Sequence, residues 1–139
     1  MFDAPPELVF KVTTDPKAIP HWWGPGILKT VVESFEPKLG GKWRILQTDP
    51  GGQVYGFHGV YHTVNKPERI VRTFEYEGMP GHVMLETSTM ENIGGKTKLT
   101  VQSVFQSVED RDGMVASGME RGVTESHDRL EALLAKSGK

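Results

Sequence analysis

The sequence predicts an α+β fold in which a meander of about six antiparallel strands is covered by one long C-terminal helix. Three observations predict it. Between residues 27 and 106, apolar side chains recur at every second position in short runs, which is the strand period. From residue 107 onward the apolar spacing changes to three and four, which is the helical period. Sixteen glycines and nine prolines among 139 residues supply the turns that a sheet with short connections needs.

The elements follow in order. Residues 3–14 read as a short helix, with Asp3 placed to act as N-cap and Pro5 and Pro6 suited to a first turn, where a missing N–H costs nothing. Leu8, Val9 and Val12 form its apolar stripe. Residues 15–21 read as a second helical turn, stopped by Trp22-Trp23-Gly24-Pro25-Gly26. Strands are expected at 28–35, 42–48, 53–64, 69–76, 82–91 and 96–105. Asp49-Pro50-Gly51-Gly52, Asn65-Lys66-Pro67-Glu68 and Asn92-Ile93-Gly94-Gly95 are the turns between several of them. Gly56 and Gly59 inside the third strand point to a bulge or a close backbone approach. In the fourth strand Ile70, Arg72, Phe74 and Tyr76 alternate against Val71, Thr73 and Glu75. Ser107 with Asp110 resembles a capping box that opens the last helix. Val115, Met119, Val123, Leu130, Leu133 and Leu134 form its stripe, and Glu125 and Arg129 are spaced to pair on the exposed side.

Composition excludes several classes. The length fits a single domain, residues 1–139. With no cysteine there is no disulfide scaffold, thiolate metal site or Cys nucleophile, and the chain suits a reducing, cytoplasmic setting. No apolar run reaches the roughly 18 residues of a membrane span, and the first residues lack the basic and apolar regions of a signal peptide. Sixteen basic against 18 acidic residues leave a net charge of −2, so neither nucleic acid nor a membrane surface is an expected partner.

Few residues suggest chemistry by their spacing. His58 and His62 would chelate on a helix, but on a strand they stand roughly 13 Å apart along the chain. No metal or other cofactor is expected. Ser126-His127-Asp128 is a triad in writing only, because consecutive helical residues point about 100° apart. Glu75, Glu86 and Arg72 on strands either sit in a cavity, with shifted pKa values, or are solvated face residues, the more common case. Gly118 and Gly122 stand out, since each costs about 0.8–1 kcal/mol of helix propensity against Ala. They either let the helix approach the sheet closely or leave space between the two. A space lined by Met and aromatic residues would suit an apolar ligand.

Three stretches together resemble a known family. They are His21-Trp22-Trp23-Gly24-Pro25, the run from Gly59-Val60-Tyr61 to Pro67-Glu68-Arg69-Ile70-Val71, and Ser117-Gly118-Met119-Glu120-Arg121-Gly122 through Glu125-Ser126-His127-Asp128-Arg129-Leu130. The sequence is similar to the SRPBCC (START-like) superfamily, in the branch of homologues of the activator of heat-shock-protein ATPase. That resemblance implies a helix-grip fold, a curved antiparallel sheet wrapped around a long C-terminal helix and a cavity. It implies binding of hydrophobic small molecules, with cyclase-, hydrolase- and dehalogenase-like members. The family usually begins with a strand of which only Met1 and Phe2 remain here, an open edge that implies either pairing with a partner chain, as in a homodimer, or a shortened sequence. It often carries Trp where Val123 stands, which enlarges the expected cavity, and His near Ser103, so no acid–base role carries over to that position.

The expected function is therefore binding of a hydrophobic or aromatic small molecule between sheet and helix. The expected lining is Trp23, Trp43, Phe57, Tyr61, Phe74, Met84, Met119 and Val123, with His58 as a polar handle. An enzyme of cyclase or hydrolase type, using pocket histidines and carboxylates, is the second reading. A module that engages a chaperone or a regulator is the third.

Overall fold

The structure is a computed structural model that describes residues 2–24, 26–116 and 119–137, without the side chains of 119–121 and 137. Helix α1 spans Pro6–Thr13, and a 3-10 turn spans Ile19–His21. Six strands follow: β1 (Lys29–Phe35), β2 (Lys42–Thr48), β3 (Val54–Asn65), β4 (Arg69–Tyr76), β5 (Val83–Ile93) and β6 (Lys96–Phe105). Helices α2 (Val108–Ala116) and α3 (Met119–Ser137) close the chain. The strands form one antiparallel sheet in sequence order, β1 to β6. Its concave face carries the alternating apolar set, and α3 lies across it in the expected helix-grip arrangement.

One expectation about the helix ends is corrected. The N-cap of α1 is Pro5, without a side-chain cap bond, and not Asp3. The C-terminal helical region is described as two segments, with residues 117 and 118 outside the described residues. The Ser107 hydroxyl does accept the Asp110 N–H at 3.1 Å as α2 begins. Yet α2 has no buried residue, and Val115 is exposed. Its run of Glu109, Asp110, Arg111 and Asp112 leaves no apolar face wide enough to bury.

The apolar stripe of α3 divides in the same way. Leu130 and Leu134 are fully buried, and Leu133 packs beside them. They meet Val9, Phe10 and Val12 of α1, Ile19, and Ile70 and Met90 of the sheet. Each buried leucine contributes about 1.5–3 kcal/mol by leaving water. Val123, two turns earlier, is exposed at 41%. The core therefore fills one end of the space between sheet and helix and leaves the other end open.

The chain start closes the filled end. Phe2 and Thr97 exchange backbone hydrogen bonds of 2.8 and 2.9 Å, and the buried Thr97 hydroxyl donates to the Ala4 carbonyl at 2.7 Å. Arg129 and Glu125 do not pair with each other, because both turn to the loop after the 3-10 turn. The Arg129 guanidinium donates to the Gly24 carbonyl at 2.8 Å, and the Glu125 carboxylate accepts the Gly26 N–H. These contacts fix Trp22 and Trp23 against α3.

Gly59 has a structural reason to be glycine. The register continued from the His58–Glu75 pair places Val60 opposite Thr73. Val60 N–H goes to the Thr73 hydroxyl at 2.9 Å, which leaves the Thr73 carbonyl free to accept the Trp43 indole N–H at 3.2 Å. The indole crosses β3 over Gly59. A Cβ there would lie 2.6 Å from Trp43 Nε1 and collide with the Thr73 carbonyl. Gly122 differs, with nothing within 4 Å of a Cβ placed on it.

Two substitutions separate these glycines. Gly59→Ala should lower stability by about 1–3 kcal/mol, as overpacking against backbone does. Gly122→Ala should raise it by about 0.8–1 kcal/mol through helix propensity alone. Urea unfolding of both variants checks the pair, and equal signs would contradict these environments.

Candidate functional site

The open end of the helix-grip space is a cavity of about 750 Å³. Its floor is the concave face of β2 to β6 and its roof is the first half of α3. Met79, His82 and Val83 border it on one side, and Glu109, Asp110, Gly113 and Met114 of α2 on another. His82 Nδ1 and Asp110 Oδ1 are 2.8 Å apart, tying the β4–β5 loop to α2 at this mouth.

One side of the cavity is aromatic. Trp23 meets Phe57 edge-on with ring centroids 5.2 Å apart. Phe57 in turn lies 5.5 Å from Phe74 and 5.3 Å from Tyr76, in tilted contacts. The other side is softer, with Met84, Met90, Leu99 and Val101 on β5 and β6 beside the ring of Phe105. Such a surface presents flat faces and adaptable thioethers to a guest.

A polar pair lies on the floor between them. Arg72 on β4 and Glu86 on β5 are register partners, and Arg72 Nε donates to Glu86 Oε1 at 3.0 Å. Their side chains are 14% and 19% exposed. The guanidinium stacks on the Trp43 indole at 4.2 Å and lies 6.0 Å from the Tyr61 ring. Burial works against the charge of Arg72, but Glu86 and Tyr61 outweigh it and raise the pKa. Burial likewise raises the Tyr61 phenol, opposed by Arg72.

The roof contributes Gly122, Val123, Ser126, His127 and Leu130. Ser126, His127 and Asp128 do not act together. The Ser126 hydroxyl accepts the Gly24 N–H at 2.7 Å, His127 packs edge-on against Phe2 at 5.8 Å, and Asp128 is exposed. Burial lowers the pKa of His127, so its imidazole is neutral near pH 7. Trp22 Nε1 is buried at the cavity wall without a hydrogen-bond partner among the described residues.

Of the expected lining residues, Trp23, Phe57, Tyr61, Phe74, Met84 and Val123 border this one cavity. The side chain of Met119 lies outside the described residues. Trp43 is almost fully buried beneath Arg72 and does not reach the cavity. His58 projects from the opposite face of the sheet, because it lies one residue from Phe57 on a regular strand. There its Nδ1 is 2.9 Å from Glu77, and Glu77 also takes two hydrogen bonds from Arg44, of 2.8 and 2.7 Å. Glu75 is on that face as well, 3.6 Å from His58. His62 turns to Thr63. Among the described residues, no group of three or more His, Cys, Asp or Glu is arranged to hold a metal ion.

Arg72 and Glu86 take the cavity position that the sequence leaves open beside the solvated one, whereas Glu75 lies on the outer face. The signal for them was the alternation itself. Arg72 falls between Ile70 and Phe74, and Glu86 between Met84 and Ser88, on faces that are otherwise largely apolar.

Comparison with known proteins agrees with this architecture. The family model described as "Activator of Hsp90 ATPase homolog 1-like protein" matches residues 3–135. The crystal structure of a Rhodobacter sphaeroides protein is 28% identical with a TM-score of 0.91, over 98% of this chain and 89% of that one. The solution structure of an Arthrobacter aurescens protein is 28% identical with a TM-score of 0.89, over 97% and 82%. A Silicibacter pomeroyi AHSA1 protein shares the fold at 23% identity, with a TM-score of 0.79 over 98% and 94%. No protein of curated function matches the sequence.

Two outcomes follow from the charges. Arg72→Met should cost about 3–5 kcal/mol in urea unfolding, because it strands a buried carboxylate, whereas Arg72→Met combined with Glu86→Leu should recover most of the loss. On the outer face, the hydrogen bonds from Arg44, reinforced by His58 and opposed by burial, hold Glu77 at about 2, below its ordinary 4.5. The stability from Glu77 is then complete above about pH 4.5 and falls away as pH drops towards 2. Glu77→Gln should flatten the acid limb of a pH–stability curve. An unchanged acid limb would contradict the assignment.

Proposed function

This chain belongs to the Activator of Hsp90 ATPase homolog 1-like family, and from that premise we propose that it binds a hydrophobic or aromatic small molecule between the sheet and helix α3. Its family and fold are those of ligand-binding proteins. The observation that carries the reading is the 750 Å³ cavity, walled by aromatic rings on one side and by methionines and branched aliphatics on the other. Ligand sites are typically apolar concavities of about 300–1,000 Å³ with a few convergent polar groups, and Arg72 and Glu86 supply such groups. A module that works only through its outer surface has no need of this space, so the cavity favours ligand binding over chaperone interaction.

One observation favours a second reading, acid–base catalysis of cyclase or hydrolase type. His127 and Glu86 both border the cavity. His127, kept neutral by burial, is the candidate base. Glu86 is already engaged by Arg72, which counts against it as the acid.

Titration with the neutral dye Nile red tests the binding reading. The wild type should enhance its fluorescence, and Val123→Trp, which fills the roof, should weaken binding by about tenfold, or about 1.4 kcal/mol. Identical titrations for the two proteins would refute binding in this cavity.

A further inference from the structure

We propose that the cavity selects a ligand whose polar group is a neutral hydroxyl or phenol and discriminates against carboxylates. The inference rests on the binding reading above and adds to it the chemistry of the ligand's polar end. Its basis is the charge carried by the lining. The ionisable side chains around the cavity include one guanidinium, Arg72, and four carboxylates, Asp49, Glu86, Glu109 and Asp110. The two histidines, His82 and His127, add no free cation: His82 is paired with Asp110, and His127 is neutral near pH 7.

Arg72 is not available as an anion site. Its Nε is committed to Glu86 at 3.0 Å, one face of its plane is covered by Trp43 at 4.2 Å, and both partners of the ion pair are largely buried. A ligand carboxylate would have to displace Glu86 and strand it, or sit beside it with both charges desolvated. Either course is costly for groups largely withdrawn from water. A hydroxyl avoids both costs. It can accept a hydrogen bond from the guanidinium edge and donate one to Glu86, since a guanidinium carries five N–H donors and a carboxylate several lone pairs. The aromatic side formed by Trp23, Phe57, Phe74 and Tyr76 suits the ring of a phenol.

The test is isothermal titration at pH 7 with a matched pair, biphenyl-4-ol and biphenyl-4-carboxylate, on the wild type and on Glu86→Gln. The wild type should bind the phenol at least about tenfold more tightly. In Glu86→Gln, Arg72 is released, and the gap should close or reverse. A wild type that binds the carboxylate as tightly as the phenol overturns the inference, even if Glu86→Gln fails to fold. A gap unchanged in a folded Glu86→Gln overturns the role given to the ion pair. If Nile red binds and neither biphenyl does, the inference falls alone. If nothing binds, the reading beneath it falls too.

Discussion

The position of Trp43 over Gly59 is the constraint on which the rest depends. Without a side chain at Gly59 the indole crosses β3 and donates to the Thr73 carbonyl, while the Thr73 hydroxyl replaces that carbonyl as acceptor for Val60. The indole then offers a flat, buried face, and Arg72 lies on it. Arg72 in turn holds Glu86 on the neighbouring strand. One missing Cβ thus leads, through two stacked planes and an ion pair, to the polar centre of the cavity floor. A charged pair that is largely withdrawn from water needs this support, because burial alone penalises both groups.

Above that floor, the division of α3 sets the volume. Leu130 and Leu134 anchor the second half of the helix to α1 and the sheet. The first half presents Gly122 and Val123, too small to fill the gap, so the same helix is core at one end and roof at the other. The grip on the loop after the 3-10 turn, through Arg129, Ser126 and Glu125, sets Trp22 and Trp23 as the side wall. The cavity is therefore a consequence of where the apolar stripe of α3 stops, held open by a rigid frame.

Much of this was legible in the residues. Strands 42–48, 69–76 and 96–105 occur as the alternation predicts, and the others shift by one or two residues at their ends. Period-2 patterning also assigns Phe57, Tyr61, Phe74 and Met84 to the inner face. The glycine-interrupted strand was harder, and His58 went to the outer face because the ladder stays regular from Val54 to Val60 opposite β2. What no local pattern carries is the pairing between strands. Trp43 and Thr73 are 30 residues apart, and the meeting of Arg72 with Glu86 depends on the β4–β5 register. Likewise, Glu125 and Arg129 have the spacing of a helical ion pair, yet a loop a hundred residues away in sequence offers each of them backbone partners. Tertiary competition of this kind is not written at the spacing where the residues stand.

The central claim is that the space between sheet and α3 holds a small molecule. Native mass spectrometry of the gently purified protein, beside a denatured control, tests it most directly. A reproducible adduct that vanishes on denaturation, and is lost in Val123→Trp, is the predicted result. An adduct that survives unchanged in Val123→Trp would contradict the account, because the molecule would then be bound elsewhere.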